Sequence, residues 1–271
     1  MNTRLALLAL AVSLALSSAL RAEDPPGGVS EEEFKQMHEL RGDAAPAPRG
    51  TMIELGGDQV YLSLPAGQGP FPALVVIQEW WGLNSHIKHW ADRLAAEGYA
   101  ALAVDLYGGK VATSPDEAMA LMKGLDEARA LERVRAAFAL LRDDPRVKAP
   151  RIGSIGWCLG GAWSLRLALA EPELDACVIY YGRLVTEAER LKAIKAPVCG
   201  VFATKDRSIG LESVAAFEQG LLAAGVRHEV HRFEADHAFA NPSGTRYASA
   251  EAAQAWSKVR DFLARELREK K

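Results

Sequence analysis

A cysteine lies among glycines at residues 155–161, where the chain reads IGWCLGG. The spacing G-x-Cys-x-G is typical of a sharp turn from a strand into a helix, because small residues must flank a backbone that crowds its central position. Such a turn presents the central side chain at the end of a sheet, where a thiolate can attack a carbonyl carbon. No G-x-S-x-G occurs in the chain, so Cys158 is the candidate nucleophile, with an inert buried cysteine as the alternative.

Two further polar residues follow strand-like runs and would complete this chemistry. Asp206 lies in ATKDRS and His237 lies in EADHAFANP. In open α/β sheets the loops at the carboxyl ends of the strands carry the chemistry, and the order Cys158, Asp206, His237 is the chain order of α/β-hydrolase triads. Asp236 is a rival acid, but it directly precedes His237 and is poorly placed to turn back onto that ring.

The elements that must position these residues alternate along the chain. Short apolar runs predict strands, and several are apolar at consecutive positions, as in a sheet that is covered on both faces. Longer stretches between them predict helices, so the fold class is α/β, with a mostly parallel central sheet and an antiparallel edge in one domain. The predicted strands are 52–55, 60–64, 73–77, 101–106, 151–156, 177–181, 199–204 and 228–233, and the predicted helices are 85–97, 115–123, 126–142, 159–170, 184–193, 211–224 and 249–267.

The first 22 residues have the pattern of a secretory signal peptide. Arg4 precedes an apolar run over residues 5–16, and small residues follow at candidate cleavage sites. The run is shorter than the roughly 20 residues of a membrane span, so we expect cleavage rather than anchoring. The expected localisation is therefore periplasmic or secreted.

The residues after the signal peptide read as a separate short segment. Ser30 and Glu33 form a capping-box pattern, which predicts a helix over 31–40. Residues 43–50 are rich in proline and alanine and predict a linker. The chain thus divides into a signal peptide (1–22), an N-terminal helix and linker (23–50) and one α/β domain (51–271).

Charge and cysteine content exclude some classes of function. The formal net charge is −3, and loss of residues 1–22 removes Arg4 and Arg21 and no acid, which gives −5. No block of basic residues is present, so nucleic-acid binding is not expected. Three cysteines are too few for a disulfide scaffold, although a bridge between Cys177 and Cys199 stays open in an oxidising compartment.

A metal site is a weak alternative. His86 and His89 lie three residues apart on a predicted helix and could hold a metal together with Asp92. Two histidines at this spacing are poor support for such a site, and the sequence predicts no metal and no other cofactor.

Residues from about 50 to 267 resemble the dienelactone hydrolase family of α/β-hydrolases. The resemblance rests on VVIQEWWGLNSHIKHWADRLAAEGYAALAVDLYGG, IGWCLGG, VIYYG, the Asp206 loop and HAFAN. It implies the α/β-hydrolase fold and matches Cys158 to the nucleophile, Asp206 to the acid and His237 to the base. Glu79, in QEWWG, matches the family glutamate that contacts the resting thiol, with a purely structural hydrogen bond as the alternative for this carboxylate.

The same resemblance implies further site residues. An oxyanion hole needs two backbone amides, and the candidates are Leu159, which follows the nucleophile, and by resemblance Trp80. The candidate substrate-binding residues, of which the aromatic ones could equally belong to the core, are Trp81, Tyr107, Tyr181, Phe239 and Asn241.

The chain departs from the family where specificity is determined. Dienelactone hydrolases of aromatic degradation carry one arginine shortly after DLY and another after HxFA, and these hold the substrate carboxylate. This chain has Gly108, Gly109 and Lys110 at the first place and Asn241 at the second. Lys110 could supply part of one charge but not the bidentate contact of a guanidinium. The sequence therefore predicts ester or lactone hydrolysis without predicting dienelactone as the substrate.

The sequence thus predicts an exported, cofactor-free hydrolase that cleaves a small ester or lactone through a cysteinyl acyl-enzyme. Its expected partner is that small molecule, with no nucleic acid and no membrane after signal cleavage, and its expected state is a monomer or small homo-oligomer. Two alternatives stay open: a thioesterase or acyltransferase that uses the same site, and a catalytically silent small-molecule binding protein.

Overall fold

An eight-stranded sheet runs through the middle of the protein. The computed structural model describes residues 29–42 and 45–268, so the predicted signal peptide and residues 43 and 44 of the predicted linker lie outside the described residues. The strands are β1 Thr51–Leu55, β2 Asp58–Ser63, β3 Ala73–Ile77, β4 Ala100–Val104, β5 Ile152–Trp157, β6 Ala176–Tyr180, β7 Val198–Ala203 and β8 His228–Phe233. Their spatial order is β1-β2-β4-β3-β5-β6-β7-β8, and β2 is antiparallel to both neighbours while all later pairs are parallel.

Helices cover both faces of this sheet, as the apolar strands predict. The helices are α1 Glu31–Met37, α2 Ser85–Ala96, α3 Pro115–Lys123, α4 Glu127–Asp143, α5 Leu159–Ala170, α6 Ala188–Leu191, α7 Leu211–Ala223 and α8 Ser249–Leu267. On one face α2 and α8 pack in the same apolar cluster as α1, and on the other face α4, α5 and α7 share a second cluster. The predicted α/β architecture with an antiparallel edge is confirmed, because β3 and β5 are fully buried central strands with a helix layer on each side.

The register of β6 and β7 shows whether Cys177 and Cys199 can form a disulfide. Cys177 on β6 pairs with Val198, and Cys199 on β7 pairs with Val178, so the two cysteines are offset by one position. Neighbouring positions in a sheet point to opposite faces, and the two thiols belong to different apolar clusters. All three cysteines are free in the structure, and the bridge that the sequence left open does not form.

One predicted helix is much shorter than expected. The prediction covered 184–193, but α6 is the single turn Ala188–Leu191. Val185 and Thr186, which come before it, are β-branched and disfavour a helix, and Glu187 has an extended conformation (ψ 113°). None of the described helices is long and apolar enough to cross a membrane.

The turn after β5 holds Cys158 in a conformation that few residues adopt. Its φ of 53° and ψ of −114° lie outside the helical and extended regions. The flanking glycines make this possible, because a Cβ on Gly156 would lie 2.1 Å from the carbonyl oxygen of Gly160, and a Cβ on Gly160 would lie 2.2 Å from that of Ile77. The start of α5 therefore rests directly on the end of β3.

We expect Gly160→Ala to destabilise the fold, although alanine normally favours a helix over glycine. The added methyl collides with the backbone of β3, and overpacking of this kind costs about 1–3 kcal/mol or more. Urea unfolding followed by circular dichroism measures the effect. Gly210→Ala is the matched control, since a Cβ there meets nothing within 4 Å; equal stabilities of the two variants would contradict the packing argument.

Candidate active site

The candidate catalytic residues meet at the carboxyl ends of four parallel strands. Glu79 follows β3, Cys158 follows β5, Asp206 follows β7 and His237 follows β8. The parallel register brings these strand ends to the same edge of the sheet, which is where α/β folds bind ligands. All four side chains are buried.

Asp206 orients His237. Its Oδ2 accepts a hydrogen bond from His237 Nδ1 at 2.6 Å, while its Oδ1 accepts from the amides of Ser208 and Ile209 and from the Ser208 hydroxyl. These donors fix the orientation of the Asp206 carboxylate that holds the His237 ring. The rival acid Asp236 lies instead near the surface, where Arg246 Nη1 pairs with it at 3.4 Å.

The His237–Asp206 pair is strongly polarised. Burial opposes both charges, but their mutual attraction outweighs it and holds the pKa of Asp206 down to about 2 and that of His237 up to about 10. Part of the rise in the pKa of His237 comes from its interaction with Cys158. His237 Nε2, the atom that would exchange protons with a nucleophile, is buried without a hydrogen-bond partner.

The Cys158 thiol contacts a residue that the sequence analysis did not single out. His38, which caps the C-terminal end of α1, lies with its Nε2 3.3 Å from Cys158 Sγ. Its Nδ1 lies 2.7 Å from the carbonyl oxygen of Phe34, which accepts only, so Nδ1 carries the proton and Nε2 offers a lone pair to the thiol. Burial and the nearby His237 hold the pKa of His38 well below its ordinary value, which keeps this ring neutral.

Glu79 lies in the cluster but contacts a different partner from the one that the resemblance implies. Its Oε2 accepts a hydrogen bond from Asn241 Nδ2 at 2.7 Å, and its Oε1 is buried without a partner. Burial raises the pKa of Glu79 to about 7, against the opposing effects of His237 and Asn241. The resting contact of the thiol is thus made by His38 rather than by Glu79.

The two candidate oxyanion amides come from segments in direct contact. Leu159 is the first residue of α5, so its amide has no acceptor within the helix. Trp80 lies three residues after the end of β3, on which Gly160 rests. The positive end of the α5 dipole points toward the same place.

Helix α1 covers this site and is tied to the domain on several sides. Phe34 packs edge-on against Trp80, with ring centroids 5.1 Å apart, and Phe34 and Met37 are almost fully buried. At the surface, Glu33 pairs with Arg207 at 2.8 Å, Glu31 pairs with Lys123 and Lys35 pairs with Asp116. Beyond the helix, Leu40 forms an antiparallel bridge with Gly244.

The capping box predicted α1 correctly, since Ser30 and Glu33 exchange both expected hydrogen bonds. The helix ends at Met37 rather than at residue 40, because the chain turns there into the bridge at Leu40. Positions 34, 37 and 38 share one helical face, and this spacing was the available signal that the helix packs on something. The spacing did not indicate that the surface on which α1 packs contains the candidate catalytic residues.

A cavity of about 60 Å³ opens beside Cys158 and His237. Its walls are mostly apolar, and of the predicted substrate-binding residues only Tyr181 lines it. Trp81, Asn241 and Glu79 line a smaller cavity of about 10 Å³, Tyr107 and Lys110 line a third cavity, and Phe239 is a core residue packed edge-on against Tyr181. Tyr181 is therefore the predicted substrate-binding residue that lies beside Cys158, and substrate binding by the others stays a prediction. The apolar residues beside Cys158 include Phe34, Leu159, Trp163, Val185 and Ile209.

The alternative metal residues on α2 have structural partners instead. His86 Nε2 accepts a hydrogen bond from Trp90 Nε1 at 3.2 Å, and burial lowers the pKa of His86 to about 3. Asp92 accepts from the hydroxyls of Tyr61 and Ser63. These contacts stabilise the packing of α2 on β2.

Comparison with known proteins agrees with this geometry. The model of the dienelactone hydrolase family matches residues 59–267, and the chain belongs to that family. It is 31% identical over 226 residues to a Synechocystis sp. protein named "Putative carboxymethylenebutenolidase", covering 77% of this chain and 92% of that protein. It is 34% identical to "Protein usf" of Aquifex pyrophilus, covering 77% of this chain and 95% of that protein.

A solved structure shows the same fold. The crystal structure of a "Putative Dienelactone Hydrolase" from Klebsiella pneumoniae subsp. pneumoniae MGH 78578 superposes with a TM-score of 0.71 at 30% identity, over 80% of this chain and 98% of that one. The fold is that of the α/β-hydrolases, and the protein is a dienelactone hydrolase-like hydrolase. Helix α1 and His38 precede the residues that the family model matches.

Glu79→Gln tests the electrostatic cost of the site. Glu79 keeps its proton up to about pH 7 in the folded protein, whereas the unfolded chain releases it near pH 4.5. The contribution of this proton to the free energy of unfolding is therefore fully present below pH 4.5 and is lost as the pH rises through about 7. The loss amounts to at most about 3 kcal/mol. We expect the variant to exceed the parent in free energy of unfolding at pH 8 but not at pH 4.5, with a lower kcat/KM, because an amide cannot take up a proton when the cluster rearranges.

Urea unfolding at both pH values and ester kinetics measure the two effects. Glu132→Gln, which removes an exposed carboxylate on α4, is the matched control. A Glu79→Gln variant with the stability profile and kcat/KM of the parent would show that the carboxylate has neither role.

Proposed function

We propose that this protein hydrolyses small carboxylic esters or lactones through a Cys158 acyl-enzyme, with His237 as the base and Asp206 as its orienting acid. The observation that carries the proposal is the buried His237–Asp206 hydrogen bond of 2.6 Å beside a thiol on a strained elbow. Membership of the dienelactone hydrolase family supports the same reaction class.

Formation of the acyl-enzyme begins when the thiol proton passes to His237 Nε2. The high proton affinity of His237, which Asp206 provides, favours the resulting thiolate–imidazolium pair. The thiolate attacks the carbonyl carbon, the tetrahedral intermediate collapses, and His237 returns the proton to the leaving alkoxide. In a lactone that alkoxide stays attached to the acyl chain.

Hydrolysis of the thioester uses the same histidine as a base. The thiolate is consumed in the acyl-enzyme, so the part of the raised pKa that it causes is lost and His237 can accept a proton from water. The hydroxide formed attacks the thioester carbonyl, and the thiol leaves with the proton from His237. The amides of Leu159 and Trp80 stabilise the oxyanion in both steps.

His38 and Glu79 act on the resting nucleophile. The lone pair of His38 Nε2 holds the thiol proton away from His237, so the thiolate forms only when substrate displaces this contact. Glu79 lines a small cavity together with His38 and has an unpartnered oxygen, and it accepts a proton when the cluster rearranges.

The walls of the cavity indicate the substrate class. Phe34, Trp163, Val185 and Ile209 line it with apolar surface, beside the charged side chains of Glu127, Arg166 and Arg183. Lys110 and Asn241, at the places of the family arginines, line other cavities and offer an anionic substrate no bidentate guanidinium. We therefore propose an ester or lactone with a small apolar acyl group.

Activity against p-nitrophenyl esters, lactones and acyl thioesters tests the reaction. We expect Cys158→Ala to abolish hydrolysis with an almost unchanged thermal midpoint, and Cys158→Ser to lose roughly 10²-fold or more, because a hydroxyl releases its proton less readily than a thiol. Cys199→Ala, which removes a buried thiol of the core, is the control and should retain the parental rate per folded molecule. Full activity of Cys158→Ala would refute the mechanism, and preference for thioesters would favour the thioesterase alternative.

We also propose that the chain is exported and that residues 1–22 are removed. The support is the sequence pattern alone: an N-terminal arginine, a short apolar run and small residues at the cleavage positions. N-terminal sequencing of the protein from its host should find a mature start near residue 20 or 23 in the extracytoplasmic fraction. An intact Met1 in that fraction would contradict cleavage.

A further inference from the structure

Three side chains at the bottom of the site place metal-ligating atoms close together. His38, Cys158 and His237 come from α1, the elbow and the loop after β8, and all are buried. One imidazole nitrogen of each histidine and the Cys158 sulfur lie within 4.8 Å of one another. Of these three residues, the catalytic triad uses only Cys158 and His237. The third, His38, precedes the residues that the family model matches.

Both imidazoles are oriented as metal ligands usually are. A ligating histidine commonly donates its other ring N–H to a carboxylate or a backbone carbonyl, which fixes the tautomer and the ring direction. His237 Nδ1 donates to Asp206 at 2.6 Å, and His38 Nδ1 donates to the Phe34 carbonyl at 2.7 Å. Each Nε2 is therefore left for the centre of the cluster, and that of His237 is buried without a partner.

We propose that His38, Cys158 and His237 bind one Zn²⁺ ion, which blocks the hydrolase reversibly. Bonds of about 2.3 Å to sulfur and 2.0–2.1 Å to nitrogen place tetrahedral ligand atoms about 3.5 Å apart. The observed separation of Cys158 Sγ and His38 Nε2 is 3.3 Å. The ligand atoms lie within 4.8 Å of one another, so the most distant pair must move closer by no more than about 1.5 Å to reach this spacing. A small rotation of the side chains is sufficient for that movement.

Charge and access also suit this ion. Binding replaces the thiol proton, which goes to solvent, so Zn²⁺ is balanced by the thiolate and by Asp206 behind His237. The three protein ligands leave a fourth position on the side of the cavity that Cys158 and His237 line. The ion is a borderline-soft cation that nitrogen and sulfur ligands suit.

The inhibitory consequence rests on the proposed function. The metal occupies the sulfur lone pair that would attack the carbonyl and the His237 nitrogen that would carry the proton. A dyad of cysteine and histidine would bind zinc weakly, and His38 supplies the third ligand that makes binding tight.

A second cluster must be distinguished from this one. Cys199, Glu229 and His231 also lie within reach of a common ion. His231 Nε2 lies 3.3 Å from Glu229 Oε1, and burial raises the pKa of the Cys199 thiol well above its ordinary value, so a thiolate forms there with difficulty.

The test uses Zn²⁺ and Co²⁺ alone on the metal-free full-length protein. We expect one zinc per chain after gel filtration, a thiolate-to-cobalt charge-transfer band with Co²⁺, and protection of Cys158 from iodoacetamide at one equivalent of zinc. His38→Ala should weaken zinc binding by roughly 10²-fold or more, since a ligand is lost. His89→Ala, which removes a half-buried imidazole on α2, is the matched control and should bind zinc as the parent does.

Variants assign the site and separate it from the hydrolase proposal. The cobalt band must disappear in Cys158→Ala and persist in Cys199→Ala. If His38→Ala does not fold, His38→Gln, which keeps a polar side chain of similar reach, replaces it, and circular dichroism checks its fold. Unchanged zinc affinity in a folded His38 variant, or less than one zinc per chain in the parent, would overturn the proposal.

Metal binding is measured without turnover. One bound cobalt in a protein whose metal-free form hydrolyses no ester would therefore refute the hydrolase proposal and keep the metal site. An active enzyme that binds no metal would do the reverse.

Discussion

The arrangement of the site depends on the close contact between the start of α5 and the end of β3. Gly160 approaches the Ile77 carbonyl so closely that a single Cβ would not fit, and this approach forces Cys158 into its positive φ. The same contact brings the loop that carries Glu79 and Trp80 against the turn that carries Leu159. The candidate nucleophile, its acidic neighbour and both candidate oxyanion amides therefore take their relative positions from one backbone crossing, while the side chains around them can vary.

Electrostatics then divides the buried polar groups into two kinds. Asp206 receives four hydrogen bonds and keeps its charge, and it raises the pKa of His237 in turn. Glu79 receives one hydrogen bond and leaves an oxygen unpartnered, so burial dominates and its pKa rises to about 7. The ion pair with His237, together with the additional donors at Asp206, decides which carboxylate is a fixed anion and which can exchange a proton near neutral pH.

The sequence predicted most of the fold because its signals are local and periodic. Apolar runs and helical stretches located all eight strands to within a few residues, and chain order with strand-end placement picked out Cys158, Asp206 and His237. The sequence could not show that Lys110 and Asn241 line other cavities, because loop direction depends on packing. It also could not place α1, since the helix precedes the domain and reaches the site through contacts between residues more than a hundred positions apart, as between His38 and Cys158. The shortened α6 had a signal that the prediction underweighted, the β-branched pair Val185 and Thr186.

The way α1 is held explains how a segment outside the family domain can act on the chemistry without belonging to the fold. Its ion pairs lie at the surface, where each contributes about 0–1 kcal/mol, so they set its direction more than its stability. Its hold comes from the burial of Phe34 and Met37, and full burial of such side chains contributes about 1.5–3 kcal/mol each. Phe34 also lines the cavity at Cys158. An apolar acyl group can therefore replace the contacts of Phe34 with similar ones, whereas a charged group at that wall would lose its hydration. Under the proposed function, the surface that helix α1 leaves in contact with the thiol thus favours a substrate with an apolar acyl group.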